Sequence, residues 1–344
     1  MQRNTCWIFA TMLVLSMLPF TVSGCRPTAV ATPEHVEHEE EHEHEYQADE
    51  MPPFSLVILG PGEKLKVVAT TSIVADVVRD IGGGSIDLTM LMPLGADPHT
   101  FEPTPQDAAA VADAHVVFVN GVGLEKFLEP LLESAGENVT VVPVSYDVEL
   151  LQLEGEHEEE REGDLDHRSG ADPHTWFDPN NVMVWAHNVE HTLSALDPGN
   201  AQAYETNAEA YEAELETLDA WIREQIAQVP DTNRILVTDH ALFGYFALRY
   251  GVEQIGAVFP GYSTLAEPSA QELATLEDTI REFNVRAIFV GSTINPDLAQ
   301  RVADDTNTQL VFLYTGSLSE PGGPAGDYLS FMRYNVSVIV KALR

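Results

Sequence analysis

Five residues occur twice in the chain, as Ala96-Asp97-Pro98-His99-Thr100 and as Ala171-Asp172-Pro173-His174-Thr175. Each copy runs on into aromatic, acidic and proline residues, Phe101-Glu102-Pro103 and Trp176-Phe177-Asp178-Pro179. A proline before the histidine holds the aspartate extended or in a turn and removes one N–H, so neither histidine starts inside a helix. Neutral imidazole is the commonest metal ligand, and two of them on stiff turns in separate parts of a chain suit two halves of one metal site. A single such phrase reads as well as a helix-entry turn with a surface histidine; the extended repeat favours the metal site. A third candidate, His240, ends a strand in Thr238-Asp239-His240-Ala241-Leu242-Phe243-Gly244, a place that mirrors His99 in the first half. Alone it would read as a cap or core histidine. Together, three imidazoles from strand-end turns are enough for a closed or nearly closed divalent site.

The other histidines are weaker candidates. His187 and His191 lie one turn apart on the polar face of a helix, beside Glu190; the spacing can bind metal, but a solvated face is the favoured reading. His115 packs in or beside a strand. His38 and His42 match H-E-x-x-H inside the acid/histidine tract 34–45, yet that motif needs a buried amphipathic helix and the tract has no apolar face. Loose collection of metal and a plain solvated spacer fit this tract equally.

The elements that must position these residues alternate. Residues 66–70 read as a buried strand, 72–81 as a helix stopped by Gly82-Gly83-Gly84, and 87–92 as a strand leading to the first histidine turn. Thr104 and Pro105 start a helix as cap and first helical residue. Strands at 116–120 and 140–144 flank a helix at 124–134, and an amphipathic helix at 181–196 follows the second turn. The stretch 201–227 carries Tyr204, Ala208, Tyr211, Leu215, Leu218 and Ile222 at helical spacing with no glycine or proline, and reads as a strut. A second alternating unit has strands at 235–238, 287–290 and 310–313, with helices at 241–250, 269–283, 296–306 and 328–344. The fold class expected is α/β: two lobes, each a mainly parallel sheet flanked by helices, joined by one long rigid helix. Ligands in such folds sit beyond the carboxyl ends of the strands.

The amino end carries an address. Arg3 precedes an apolar run at 7–20 that suits a signal peptide and is short for a membrane span. Val22-Ser23-Gly24-Cys25 resembles the bacterial lipobox, which implies cleavage before Cys25, a lipid on Cys25 and a protein tethered outside the cell membrane; ordinary secretion is the alternative. Cys6 leaves with the signal peptide, so the mature chain can form no internal disulfide. The layout expected is a signal peptide at 1–24, a disordered acid/histidine-rich tether at 25–62, a first lobe at 63–199 with a mobile acid/histidine loop at 152–170, a linker helix at 200–229 and a second lobe at 230–344. A formal net charge of −38 and a pI near 4.3 argue against nucleic acid and favour cations as partners.

Five stretches resemble one family, the zinc- and manganese-type substrate-binding proteins of bacterial ABC transporters. They are GADPHTFEPTPQD from Gly95, DPHTWFDPN from Asp172, TDHALFGYFALRYG from Thr238, Glu267-Pro268-Ser269-Ala270 and Phe331-Met332-Arg333-Tyr334-Asn335, within residues 64–344. The resemblance implies a metal in the cleft between two α/β lobes and delivery to a membrane permease powered by a cytoplasmic ATPase. By motif it makes His99 and His174 ligands from the first lobe and His240 a ligand from the second. Where many members place an aspartate, this chain has Gly316 in Tyr314-Thr315-Gly316-Ser317, and Gly291 stands where another carboxylate is common. The fourth position is then water or a side chain from a segment such as 152–170. Three imidazoles and no carboxylate favour Zn2+ over Mn2+, which prefers oxygen ligands. The expected function is a monomeric, extracytoplasmic zinc receptor, not an enzyme, whose uptake weakens as pH falls through the imidazole range. A manganese receptor is the alternative within the family. A zinc hydrolase with Glu102 or Asp239 as base, and a metal-dependent surface adhesin, are the readings from other classes.

Overall fold

Alternation along each strand sorts side chains onto two faces, and in the inner strands of each sheet both faces are largely buried, as expected for parallel strands covered by helices. The computed structural model describes residues 51, 53–128, 130–132, 139–152 and 170–344. Its first sheet contains β1 (Leu65–Ala69), β2 (Ile86–Met90), β3 (Val116–Val119) and β4 (Thr140–Pro143), all parallel, in the order β2-β1-β3-β4. The second contains β5 (Ile235–Thr238), β6 (Glu253–Ala257), β7 (Ala287–Gly291) and β8 (Gln309–Leu313), parallel in the order β6-β5-β7-β8. The two halves therefore share one strand order.

The helices follow their sequence signals closely. Thr71 caps α1 (Ser72–Gly82), and a reciprocal Thr104/Asp107 box opens α2 (Pro105–Ala112). Then come α3 (Pro179–Leu196), α4 (Ala201–Ile226), α5 (Gly244–Tyr250), α6 (Ala270–Glu282) behind a Ser269/Glu272 box, α7 (Asp297–Thr306) and α8 (Tyr328–Leu343).

Among the described residues the core has three parts. Leu65, Val67 and Ala69 of β1, Phe118 of β3, Leu236 of β5 and Phe289 of β7 face one continuous apolar body between the sheets and α1, α3, α4 and α8. The alternate residues Val68, Val117 and Val119 face a separate outer layer beside the first sheet. Val237, Ile288 and Val290 do the same beside the second, under α6 and α7. Helix α4, about 39 Å long, packs on α1 and α3 from the first half and on α8 from the second. Its Tyr204, Ala208, Tyr211, Leu215, Leu218 and Ile222 are all buried, the same six residues that recur in its sequence.

Four expectations need correction. β6 has no sequence signal: Glu-Gln-Ile-Gly-Ala is an edge strand with one large aliphatic residue, and a Cβ on Gly256 would lie 2.7 Å from the Leu276 side chain. The helix foreseen at 241–250 starts only at Gly244, because the His240 carbonyl is taken by Thr238 Oγ1. Packing begins ahead of Lys64: Phe54, Val57 and Leu59 lie on the central core, and Val57 N–H donates to the Leu196 carbonyl at 3.0 Å. In the stretch 124–134 the described residues show a 3-10 turn, Lys126–Leu128, and a helical turn at 130–132. The signal peptide, Cys25, the acid/histidine tract 34–45 and residues 153–169 of the loop lie outside the described residues.

Candidate metal centre

The three histidines singled out by sequence converge, and among the described residues they are the one group of three or more histidine, cysteine or carboxylate side chains whose donor atoms all lie within 4.8 Å of one another. His99 lies in the loop beyond β2, His174 between β4 and α3, and His240 directly after β5. His174 is central: its Nε2 is 3.3 Å from His99 Nε2 and 3.1 Å from His240 Nε2. Tetrahedral zinc–imidazole bonds would place such nitrogens about 3.3 Å apart. His240 does not mirror His99 topologically, since it follows the first strand of its half and His99 the second. The true counterpart of the His99 loop is the loop after β6, and the two meet where Thr264 Oγ1 donates to Asp97 Oδ2 at 2.7 Å.

The repeated pentapeptide is used in two ways. In both copies the aspartate Oδ1 accepts the backbone N–H of the histidine, at 3.0 Å for Asp97–His99 and 2.9 Å for Asp172–His174. Only in the second does the same oxygen also take the ring Nδ1–H, at 2.7 Å. Asp239 treats His240 likewise at 2.6 Å, and its other oxygen takes the Gly291 N–H. In the tautomer that places the proton on Nδ1, facing the carboxylate, His174 and His240 each turn a bare Nε2 lone pair to the centre. Two such lone pairs at 3.1 Å repel unless a cation lies between them. The cluster is poised for one: burial, aided by the other imidazoles, holds His99 down at about 2 and His174 well below its usual value. Both are neutral at any physiological pH, so for these two the proton competition expected through the ordinary imidazole range moves to more acid pH.

Two supports were missed by sequence reasoning. Trp176 lies edge-on to His174, 5.1 Å between ring centroids. Its Nε1–H donates to the Thr315 carbonyl at 3.1 Å and its own carbonyl accepts Tyr328 O–H at 2.7 Å, pinning the His174 turn to the second half. The aromatic after the second Pro-His-Thr was the available signal. The other support is Glu125, buried behind β3. Its carboxylate accepts Thr70 O–H at 2.8 Å, Asn120 N–H at 2.6 Å and Gly121 N–H at 3.1 Å. These donors hold a loop in which Gly121, Val122 and Gly123 all have positive φ, a strained state for β-branched Val122. Asn120 Nδ2 then donates to the Pro173 carbonyl, next to His174, at 3.0 Å.

Glu125→Gln turns an amide N–H toward the Gly121 N–H, and thermal unfolding should show a loss of about 1–3 kcal/mol. Burial lifts Glu125 to about 7 from an ordinary 4.5. Between those values the folded wild type keeps a proton that the unfolded chain has released, so its stability falls as pH rises. The variant has no such slope, and the gap between the two proteins should narrow from pH 4.5 to 7.

A cavity of ≈ 10 Å³, the room of about one water, adjoins the three imidazoles, with Thr293, Ile294, Thr315 and Gly316 completing its wall. No free carboxylate lines it: both Asp97 oxygens are hydrogen-bonded within the loops. Of the two bases considered for hydrolysis, Asp239 is committed to His240 and Gly291, and Glu102 does not line the cavity.

Known proteins place this site in context. Residues 67–342 match the family described as "Zinc-uptake complex component A periplasmic". The manganese ABC transporter substrate-binding lipoprotein PsaA of Streptococcus anginosus is 35% identical over 289 residues, covering 82% of this chain and 90% of its own. The manganese-binding lipoprotein MntA of Halalkalibacterium halodurans is 34% identical over 283 residues, covering 82% and 89%. The solved periplasmic zinc-binding protein TroA of Treponema pallidum superposes with a TM-score of 0.73 at 28% identity, over 82% of this chain and 99% of its own. The two-sheet α/β architecture is thus shared with metal-binding receptors of ABC transporters. The chain belongs to the zinc-uptake component A family, the metal-binding substrate receptors of ABC transporters.

Proposed function

We propose that the protein captures Zn2+ with His99, His174 and His240 and surrenders it to the permease of an importer driven by a cytoplasmic ATPase. The observation that carries this reading is the donor set: three imidazole nitrogens within 4.8 Å of one another and no free carboxylate on the adjoining cavity. Neutral nitrogen donors suit zinc, and manganese favours oxygen. One water in the small cavity would complete a tetrahedron. Manganese is the second reading, favoured by the names of the lipoprotein relatives.

In this proposal a lipid on Cys25 holds the receptor outside the cell membrane, and residues 63–199 and 230–344 act as lobes on the linker helix 200–229. Among the described residues no helix is long and apolar enough to cross a membrane. Competitive titration of residues 26–344 with zinc and manganese, followed by metal analysis, tests the choice. Zinc should displace manganese at equal concentration; retention of manganese would transfer the function to that metal. Because one apolar core runs through both halves, solution-scattering curves with and without zinc should nearly coincide. A clear fall in radius of gyration on loading would refute the rigid arrangement.

A further inference from the structure

We propose that the outer face of α3 carries a second, solvent-facing metal site, built from His187 and His191 with Glu212 of α4, that holds a divalent transition-metal ion weakly and independently of the buried centre. The two histidines are exposed and one turn apart, with rings nearly parallel at 19° and centroids 6.3 Å apart. Exposed rotamers interconvert in picoseconds to nanoseconds, so a bound ion can draw both ring nitrogens onto itself at ordinary bond lengths of about 2.0–2.1 Å. His191 is steadied by Phe54, whose ring meets it edge-on at 5.7 Å.

The neighbouring charges favour a cation here. Burial between the helices pushes the Glu212 carboxyl above its usual range, and Glu209, Glu216 and Glu190 push the same way, with the nearby His187 opposing them. Glu209, Glu212 and Glu216 lie along one face of α4 (i, i+3, i+7), and Glu190 stands on α3 between the two histidines. A divalent ion on the imidazole pair lowers the mutual repulsion of this row and gains the Glu212 oxygen as a third ligand. Two imidazoles and one carboxylate with open positions suit Zn2+, Ni2+ or Cu2+, with Cu2+ held most tightly. The buried centre shares no residue with this site.

The test uses the full chain with its tight site first filled with zinc, then titrated with Cu2+. Wild type should bind one more ion per chain than His187→Gln/His191→Gln, with zinc retention unchanged, and Glu212→Gln should weaken that extra ion severalfold. Substoichiometric Cu2+ should broaden the imidazole NMR signals of His187 and His191. Equal copper uptake by wild type and the double variant, or broadening confined to other histidines, would overturn the proposal.

Discussion

His174→Ala is expected to lower zinc affinity by about a thousandfold or more, roughly 4 kcal/mol, and to do so more severely than His99→Ala. His174 is the one imidazole whose Nε2 lies within 3.3 Å of both others. Without it, His99 and His240 face each other across a gap as a two-ligand site. His174 also carries a ring carboxylate partner, Asp172, whereas the corresponding Asp97 oxygen accepts the backbone N–H of His99. Asp172→Asn and Asp239→Asn should each cost about 10- to 100-fold, the usual effect of removing the group that orients a ligand. A zinc-competition assay gives the order His174 > Asp239 > a surface control such as Glu209→Gln. Wild-type-like affinity in His174→Ala would remove the three-histidine site from consideration.

The same assay has a pH signature. With His99 near 2 and His174 well below 6.5, these two imidazoles already carry no proton there in the folded metal-free site. Zinc affinity should therefore fall less steeply from pH 7 to 5.5 than that of a chelator built from three free imidazoles, because two of the three donors have no proton to lose. Stability carries a slope of its own. Below about pH 6.5 the unfolded chain protonates these histidines and the folded one does not, so they make the metal-free fold less stable as pH falls.

Much of this was legible in the sequence, because the determining interactions are local. Strand–helix alternation, the boxes at Thr104/Asp107 and Ser269/Glu272, and the six buried residues of α4 depend on short-range spacing. So do the three proposed ligands, each beside a proline or a strand end. What stayed hidden depends on residues far apart. Nothing in Glu253–Ala257 indicates a strand until β5 offers it an edge. Identical pentapeptides could not reveal that Asp172 orients an imidazole while Asp97 reaches across to Thr264, since the difference lies in the partner loop. Glu125 reads as one more acid in a very acidic chain until its three donors are seen.

The glycines at 291 and 316 change meaning most. From sequence they are missing ligands, which suggests that restoring an aspartate would restore an oxygen-rich, manganese-favouring site. The packing argues for a different outcome. A Cβ on Gly316 would lie 2.7 Å from Cδ and 3.2 Å from Cγ of Pro98, the residue that presents His99. Gly316→Asp must therefore push the first Pro-His turn away before its carboxylate can reach the centre, at about 1–3 kcal/mol. Gly291→Asp should be worse. Its Cβ would fall on the Thr315 hydroxyl and lie 3.2 Å from Asp239 Oδ2, placing a second buried carboxylate beside one already paired with His240. An uncompensated buried charge costs about 3–5 kcal/mol, so its midpoint temperature should drop by roughly 10 °C. Neither substitution should raise manganese affinity above that of wild type. Thermal unfolding with parallel zinc and manganese titrations decides the matter: Gly316→Asp with an unchanged midpoint and tighter manganese binding would mean that Pro98 yields freely and that the glycine alone selects the metal. Strain at Pro98 predicts instead that zinc affinity falls in Gly316→Asp, because the residue displaced is the one that holds a ligand in place.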